Sequence, residues 1–148
     1  MELVQCTSTA QDGWLPLRRQ LWPEGSTNEH LAEMQMFIDQ PGKFFQLVAY
    51  EHDRQPAGFV EASLRTDYVN GTESSPVAFL EGIYVAPPYR RRGIGTLLVA
   101  AVVTWARACG CTELASDALL DNESSHAMHR ALGFDETERV VFFRKLIP

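Results

Sequence analysis

Long apolar runs are missing from this chain of 148 residues. Each apolar stretch has the length of a strand and falls far short of the roughly 20 residues that a membrane-spanning helix needs. The opening Met-Glu-Leu-Val-Gln has neither the basic start nor the apolar core of an export signal. These absences predict a cytoplasmic protein without a membrane partner.

Cysteine is scarce, with Cys6, Cys109 and Cys111 the only three. The number is odd, and a single residue between Cys109 and Cys111 is too little for a usual zinc pair. We therefore expect free thiols in a reducing compartment and no metal site.

Positive charge is also in short supply, since 13 Lys and Arg face 19 Asp and Glu, for a net charge of −6. An acidic chain is poorly suited to binding nucleic-acid phosphates. The only basic run is Arg90 to Arg92. The charge excludes nucleic acid as the expected partner and suits a cationic small molecule.

What the chain does contain is ordinary for a globular protein, with 45% hydrophobic and 22% charged residues. That composition and length predict one domain, residues 1–148. Hydrophobic periodicity, caps and turn residues predict six strands and four helices. The strands are expected at 2–7, 44–51, 57–65, 77–85, 112–116 and 138–147, and the helices at 9–21, 26–38, 93–109 and 122–133. This order predicts an α/β fold with a mixed, mostly antiparallel sheet, flanking helices and one β-α-β crossover near its end.

The most specific chemical signal is the turn Arg90-Arg91-Arg92-Gly93-Ile94-Gly95, between a predicted central strand and the long third helix. A helix start offers unpaired backbone N–H groups and a positive dipole end, and glycine lets a diphosphate come close. The spacing matches neither the dinucleotide-binding pattern nor the P-loop of nucleotide hydrolases. It predicts a diphosphate-binding turn of another kind.

The turn fits R-x-x-G-x-G and resembles the coenzyme A signature of the GNAT N-acetyltransferases. A later helix beginning at Asn122 and ending in Gly133-Phe134 is similar to theirs. The resemblance implies the GNAT acyltransferase fold, acetyl-CoA as co-substrate and no metal. It implies that the pantetheine arm pairs with the strand backbone in the manner of an added strand. The implied coenzyme-binding residues are Ile83, Tyr84, Val85, Arg90, Arg91, Arg92, Gly93, Ile94, Gly95, Thr96 and Asn122.

The chain departs from the family pattern at His129, where many relatives have a tyrosine that reprotonates the leaving thiolate. Histidine can donate a proton near neutral pH. His129 is therefore a candidate general acid, with a packing or capping role as the alternative.

Several further stretches resemble the aminoglycoside 6′-N-acetyltransferases, which inactivate antibiotics. The stretches include Leu21-Trp22-Pro23, Asp67 to Gly71, Phe79 to Ile83, Ala115-Ser116-Asp117 and Glu136 to Val140. The resemblance implies a homodimer, with the last strand near the subunit contact. Where relatives can have a histidine after the Trp-Pro pair, this chain has Gly25. The implied substrate-binding residues are Trp22, Tyr68, Glu81, Asp117 and Glu138.

The residues give independent grounds for part of that set. An unpaired charge inside an apolar strand is costly, so Glu81 is expected to face a partner or a cleft. Asp117 ends a strand of the crossover, where sites of α/β units gather. The alternatives are a buried structural ion pair for Glu81, loop capping for Asp117, core packing for Trp22 and a solvated charge at a strand edge for Glu138.

The expected reaction is acetyl transfer to the 6′-amine of an aminoglycoside. Glu81 or Asp117 would accept the proton of the substrate ammonium, and a backbone N–H near Ile83 would stabilise the oxyanion. The alternatives are a GNAT enzyme for another amine, such as a polyamine, an amino acid or a protein N-terminus, and a non-catalytic acyl-CoA sensor.

Overall fold

The computed structural model describes residues 1–148 and shows one twisted sheet with helices on both faces. The strands follow the order β1-β2-β3-β4-β5 across the sheet, antiparallel up to β4, and β5 is parallel to β4. None of the helices has the length and apolar character to cross a membrane. The strands are β1 Glu2–Gln5, β2 Phe44–Tyr50, β3 Pro56–Arg65, β4 Val77–Val85 and β5 Leu114–Ala115, and the helices are α1 Trp14–Leu21, α2 Thr27–Asp39, α3 Ile94–Ala108 and α4 Glu123–Ala131.

Local capping chemistry places the helix starts. Ser26 accepts the backbone N–H of Glu29 at the start of α2, and Asn122 accepts that of Ser125 at the start of α4. Both interactions satisfy N–H groups that have no partner within the helix. Helix α1 begins at Trp14, later than predicted, because Gly13 precedes it with a left-handed φ of 82°.

The two faces of the sheet bury different kinds of side chains. One face packs apolar residues of β2, β3 and β4 against α3, with Leu98 and Val102 fully buried. The other face carries α1 and α2 and adds larger aromatic side chains, including Trp14, Phe37 and Phe59. Each such side chain contributes about 1.5–3 kcal/mol by burial. The aromatic face also holds the charged groups that matter for the site.

A β-bulge interrupts the pairing of β3 with β4. Glu61 pairs with Gly82 while Ala62 pairs with Leu80, so Glu81 is the extra residue. A bulge bends its strand and redirects the side chain at that point. It turns the Glu81 carboxylate to the face of α1 and α2, onto Ser63 and Arg65.

The prediction of a final strand at residues 138–147 is wrong for the single chain. Residues 135–148 have no regular secondary structure, and Val141, Phe142, Phe143 and Ile147 are exposed. The apolar, β-branched and aromatic composition suits a strand, but a strand also needs an edge to pair with. The segment reaches no edge of the chain's own sheet.

Candidate active site

The turn from Arg90 to Thr96 forms one end of the candidate site. Gly93 precedes α3 with a φ of 81°, and Arg91 has a φ of 64°, so two residues adopt the left-handed conformation. Alternating backbone conformations of this kind point successive N–H groups to one side, and the start of α3 adds further free N–H groups. An added Cβ at Gly93 would meet nothing within 4 Å. The backbone of the turn is thus unobstructed at Gly93, and diphosphate binding there stays a prediction.

Three arginines surround this turn, and all three are exposed. Arg90 donates through Nε to the carbonyl of Val85 at 2.8 Å, which ties the turn to the end of β4. The Nη1 atom of Arg92 lies 3.6 Å from Oε1 of Glu51, which makes an ion pair. The three guanidinium groups therefore lie at the surface around the backbone N–H groups of the turn.

A gap opens between β4 and β5 next to the turn. The two strands pair only at Ala78 with Leu114 and at Phe79 with Ala115, although β4 continues to Val85. Residues 83–85 pair with β3 on one side and lack a strand neighbour on the other. Their backbone groups on the open side are available to an extended ligand, as in strand addition.

Glu81 lies at a cleft of about 420 Å³ whose lining includes Lys43, Arg65, Asp67 and Tyr68. Its Oε1 accepts from Ser63 Oγ at 2.5 Å and from Arg65 Nη2 at 2.9 Å. Both bonds end on the same oxygen, which leaves Oε2 for another donor. The expectation that Glu81 faces a partner or a cleft is met in both respects.

Trp22 lies against Gly82, the residue after Glu81. It lines a smaller cavity of about 180 Å³ together with Gly25, Glu29, His30 and Glu33. It follows α1 directly, and its indole lies over Gly82, where an added Cβ would come within 2.3 Å of Cη2. The indole also meets Phe59 edge-on, with ring centroids 5.9 Å apart. The side chain thus packs in part and is exposed in part.

His129 is bound on both ring nitrogens near the end of β5. Nδ1 lies 2.7 Å from the carbonyl oxygen of Ser125, and Nε2 lies 2.7 Å from the Ser116 hydroxyl. A carbonyl oxygen only accepts, so Nδ1 carries the proton and Nε2 accepts from Ser116. The ring meets Phe134 edge-on at 5.3 Å. Asp117 follows Ser116 and is exposed.

Tyr68 and Glu138 lie at the outer loop, residues 66–76. Tyr68 is 76% exposed and lines the Glu81 cleft. Thr137 and Glu138 lie against Gly71 of the same loop, where an added Cβ would be 3.8 Å from Glu138 Cβ. The chain therefore brings Glu138 to the loop that carries Tyr68, although it forms no strand there.

Some residues near the site are not among those predicted. Arg65 and Ser63 contact Glu81, and Ser116 contacts His129. A second, buried group next to Trp22 consists of Arg18, His30 and Glu61.

Burial raises the pKa of the Glu61 carboxyl, and the neighbouring Arg18 guanidinium opposes that rise. The signal for Glu61 is present in the sequence, since it too is a charge inside an apolar strand. Arg18 lies four residues after Trp14 and so shares its helix face.

The three cysteines take no part in this arrangement. All are free, Cys6 and Cys111 are buried, and burial raises the pKa of both thiols above the ordinary value.

The acetyltransferase (GNAT) family matches residues 10–134. An aminoglycoside N(6′)-acetyltransferase type 1 of Acinetobacter genomosp. 13 is 54% identical over 147 residues, with 99% of each chain covered. The protein of the same name from Acinetobacter baumannii is 53% identical over equal coverage. The similarity thus extends over both the turn from Arg90 to Thr96 and the candidate amine side.

Solved structures agree with the fold. Aminoglycoside antibiotic 6′-N-acetyltransferase AAC(6′)-Ig from Acinetobacter haemolyticus superposes with a TM-score of 0.94 at 49% identity, over 100% of both chains. AAC(6′)-Iy in complex with the bisubstrate analog CoA-S-monomethyl-acetylneamine superposes with a TM-score of 0.91 at 44% identity, over 99% of this chain and 98% of that one.

Proposed function

The chain belongs to the GNAT family of acetyltransferases, and from this premise we propose that it transfers the acetyl group of acetyl-CoA to the 6′-amine of an aminoglycoside antibiotic. The observation that carries the proposal is the full-length similarity to proteins of that activity, at 54% identity in one case. The cleft at Glu81 supports it, because Glu81 and Asp67 supply carboxylates and Tyr68 an exposed ring, and polycationic sugars are held by carboxylates and aromatic surfaces. Acetylation of the amine would inactivate the antibiotic and confer resistance.

On the coenzyme side, the turn from Arg90 to Thr96 would hold the diphosphate of acetyl-CoA, which supplies the acetyl thioester. Its left-handed residues, the open space at Gly93 and the start of α3 support this assignment. The free side of Ile83, Tyr84 and Val85 would pair with the pantetheine arm. Asn122, which caps α4, is proposed to contact the coenzyme as well.

On the amine side, Trp22, Tyr68, Glu81, Asp117 and Glu138 would bind the aminoglycoside. An ammonium is not a nucleophile, so Glu81 or Asp117 accepts its proton, directly or through water. The free Oε2 of Glu81 supports that role. The neutral nitrogen then forms a bond to the acetyl carbon and releases its second proton to water, and the carbon–sulfur bond breaks to leave the amide and the coenzyme A thiolate.

The departing thiolate needs a proton, and His129 is the proposed donor. In the structure its Nε2 accepts from Ser116. The imidazole therefore acts as the acid only after it takes up a second proton at Nε2, the atom that faces Ser116. A lower kcat in His129→Gln, with the KM values of both substrates near wild type, would support this assignment.

We further propose that the protein is cytoplasmic and forms a homodimer in which residues 138–147 meet the second copy. The exposed apolar side chains of this segment support the proposal, since monomeric proteins rarely expose contiguous apolar patches of large size. Light scattering of the full chain and of Phe142→Ser/Phe143→Ser tests it. A wild-type monomer would contradict it.

The decisive test of the activity is release of free thiol from acetyl-CoA with tobramycin or kanamycin. Saturable release, with acetate on the 6′-amine by mass spectrometry and NMR, supports the proposal. Asp117→Asn should lower the rate on the order of 100-fold, the scale of one acid–base group. Asp121→Asn is the matched control, because Asp121 is also exposed and lies outside the predicted set.

Coenzyme binding without release for any aminoglycoside would overturn the substrate assignment. Release with polyamines, amino acids or peptide N-termini would then identify another GNAT activity. Binding without turnover for every amine would indicate an acyl-CoA sensor.

A further inference from the structure

A charged network lies buried where α1, α2 and β3 meet. The Arg18 side chain is fully buried, and both carboxylate oxygens of Glu61 lie 2.5 Å from its Nη1. Trp14 donates to Glu61 Oε2 through Nε1 at 2.9 Å, and Arg18 Nη2 pairs with Glu33 on α2. Replacing such a pair by apolar residues often leaves stability unchanged, so stability alone does not account for it.

The network reaches Trp22 through His30. Arg18 Nε donates to His30 Nδ1 at 3.2 Å. Arginine nitrogens only donate, so Nδ1 accepts and the ring proton lies on Nε2. His30 Nε2 then donates to the carbonyl oxygen of Trp22 at 3.0 Å. The His30 side chain is buried, and this chain of bonds fixes the Trp22 backbone just beyond the end of α1.

Arg18 also holds the Trp22 ring. Its guanidinium carbon lies 4.9 Å from the indole centroid, within the range of a cation–π contact. On the side of the sheet, the indole lies against Gly82, the residue after Glu81. A small displacement of Trp22 would therefore move the aromatic wall that adjoins Glu81.

We infer that Arg18 and His30 are positioning residues for the amine substrate. They hold the backbone and the ring of Trp22 so that the indole presents a fixed aromatic surface to a sugar ring beside Glu81. This inference deepens the proposed function and rests on it for the identity of the substrate. Neither residue touches the reacting atoms.

A matched pair of His30 variants tests the link and leaves the Arg18–Glu61 ion pair in place, although His30→Leu also removes the acceptor of Arg18 Nε. In His30→Gln the amide N–H can still donate to the Trp22 carbonyl, whereas His30→Leu removes the donor. We expect the KM for tobramycin to rise on the order of tenfold in His30→Leu, since small misplacements near a site have effects of this order or larger. The KM for acetyl-CoA should stay within about twofold of wild type, and His30→Gln should restore most of the loss. Equal changes in both KM values, or equal loss in both variants, would overturn the inference.

A second pair of changes tests Arg18 itself. Arg18→Met alone would leave Glu61 buried and unpaired, so it is combined with Glu61→Gln, whose amide oxygen still accepts from Trp14. This double variant should raise the tobramycin KM as His30→Leu does and leave the acetyl-CoA KM unchanged. A folded double variant with wild-type kinetics would show that Arg18 is structural only.

An activity-independent readout separates this inference from the proposed function. The chain has three tryptophans, and Trp22→Phe assigns the Trp22 indole N–H resonance in a 15N-labelled spectrum. A shift of that resonance in His30→Leu, recovered in His30→Gln, would support the positioning role even if no aminoglycoside were acetylated. An unmoved resonance would overturn the role even if the enzyme were fully active.

Discussion

Two arginine–glutamate pairs lie on the same face of the sheet, and they differ in what surrounds them. Arg18 and Glu61 have side chains that are 0% and 2% exposed, while those of Arg65 and Glu81 are 41% and 29% exposed. Glu61 uses both carboxylate oxygens within the protein, whereas Glu81 receives both of its bonds on Oε1. Residues 61, 63 and 65 alternate along β3 and so share this face.

The comparison shows how burial decides the role of an arginine–glutamate ion pair. A buried pair whose carboxylate oxygens are both bonded within the protein can only hold structure in place, and the loss of one partner leaves a charge without compensation. A partly exposed pair contributes little to stability, because water screens it. Its carboxylate stays available to a ligand, and the predictions below probe that difference from the largest expected effect to the smallest.

Breaking the inner pair should have the largest effect. Glu61→Leu leaves the buried Arg18 with Glu33 as its only remaining carboxylate, so we expect a loss of about 3–5 kcal/mol in the free energy of unfolding. Urea denaturation followed by circular dichroism measures it. Arg18→Met/Glu61→Gln, which removes both charges, should lose clearly less. A loss below about 1 kcal/mol in Glu61→Leu would contradict the structural role of the inner pair.

Neutralising the outer carboxylate should affect activity rather than stability. Glu81→Gln is expected to lower kcat/KM for tobramycin on the order of 100-fold, because it removes a proton acceptor and an ammonium partner. The free energy of unfolding should change by less than about 1 kcal/mol. Glu73→Gln makes the same charge change at an exposed position of the outer loop and should leave kcat/KM near wild type. Full activity in Glu81→Gln would remove Glu81 from the mechanism.

A substitution at Gly82 would change the position of the Trp22 indole, which packs against this residue. An added Cβ would lie 2.3 Å and 2.6 Å from two atoms of the Trp22 indole, so the ring must move. Gly82→Ala should raise the tobramycin KM on the order of tenfold and destabilise the fold by about 1–3 kcal/mol. Gly42→Ala, where an added Cβ meets nothing within 4 Å, is the control. Unchanged binding in Gly82→Ala would mean that the indole position is unimportant.

Removing the cation of the outer pair should have the smallest effect. Arg65→Met takes a positive charge out of the Glu81 cleft and should lower the tobramycin KM by about twofold at low salt, an effect that fades as salt increases. Stability should change by less than about 1 kcal/mol. Steady-state kinetics at two ionic strengths measures it. A higher KM would show instead that Arg65 orients the Glu81 carboxylate for the substrate.

Much of the fold could be predicted because its signals are local. The bounds of β4 are those predicted, α3 begins and ends one residue inside its predicted range, and Ser26 and Asn122 cap the helices they were expected to cap. These features depend on nearest-neighbour patterns and on side chains that reach their own backbone. The α/β fold class and the family assignment are confirmed as well.

The C-terminal segment shows the limit of such patterns. Residues 138–147 have the composition of a strand, yet they form none in the single chain. Pairing is a property of two segments, and composition describes only one of them. The site shows the same limit, since Glu81 was expected to have a partner but nothing local identified Ser63 or Arg65.

The sequence by itself determined the order of the elements as far as α4, the glycine-containing turn between β4 and α3, and the family, because each is written in contiguous residues. Only the tertiary structure decided that Glu81 is the bulged residue beside an open cleft, that Glu61 is sealed against Arg18, and that His30 links Arg18 to Trp22. The hydrogen bonds involved join residues 8 to 43 positions apart in the chain. The same residue type acquires opposite roles at those points because its burial and its partners are set by the packing of distant elements.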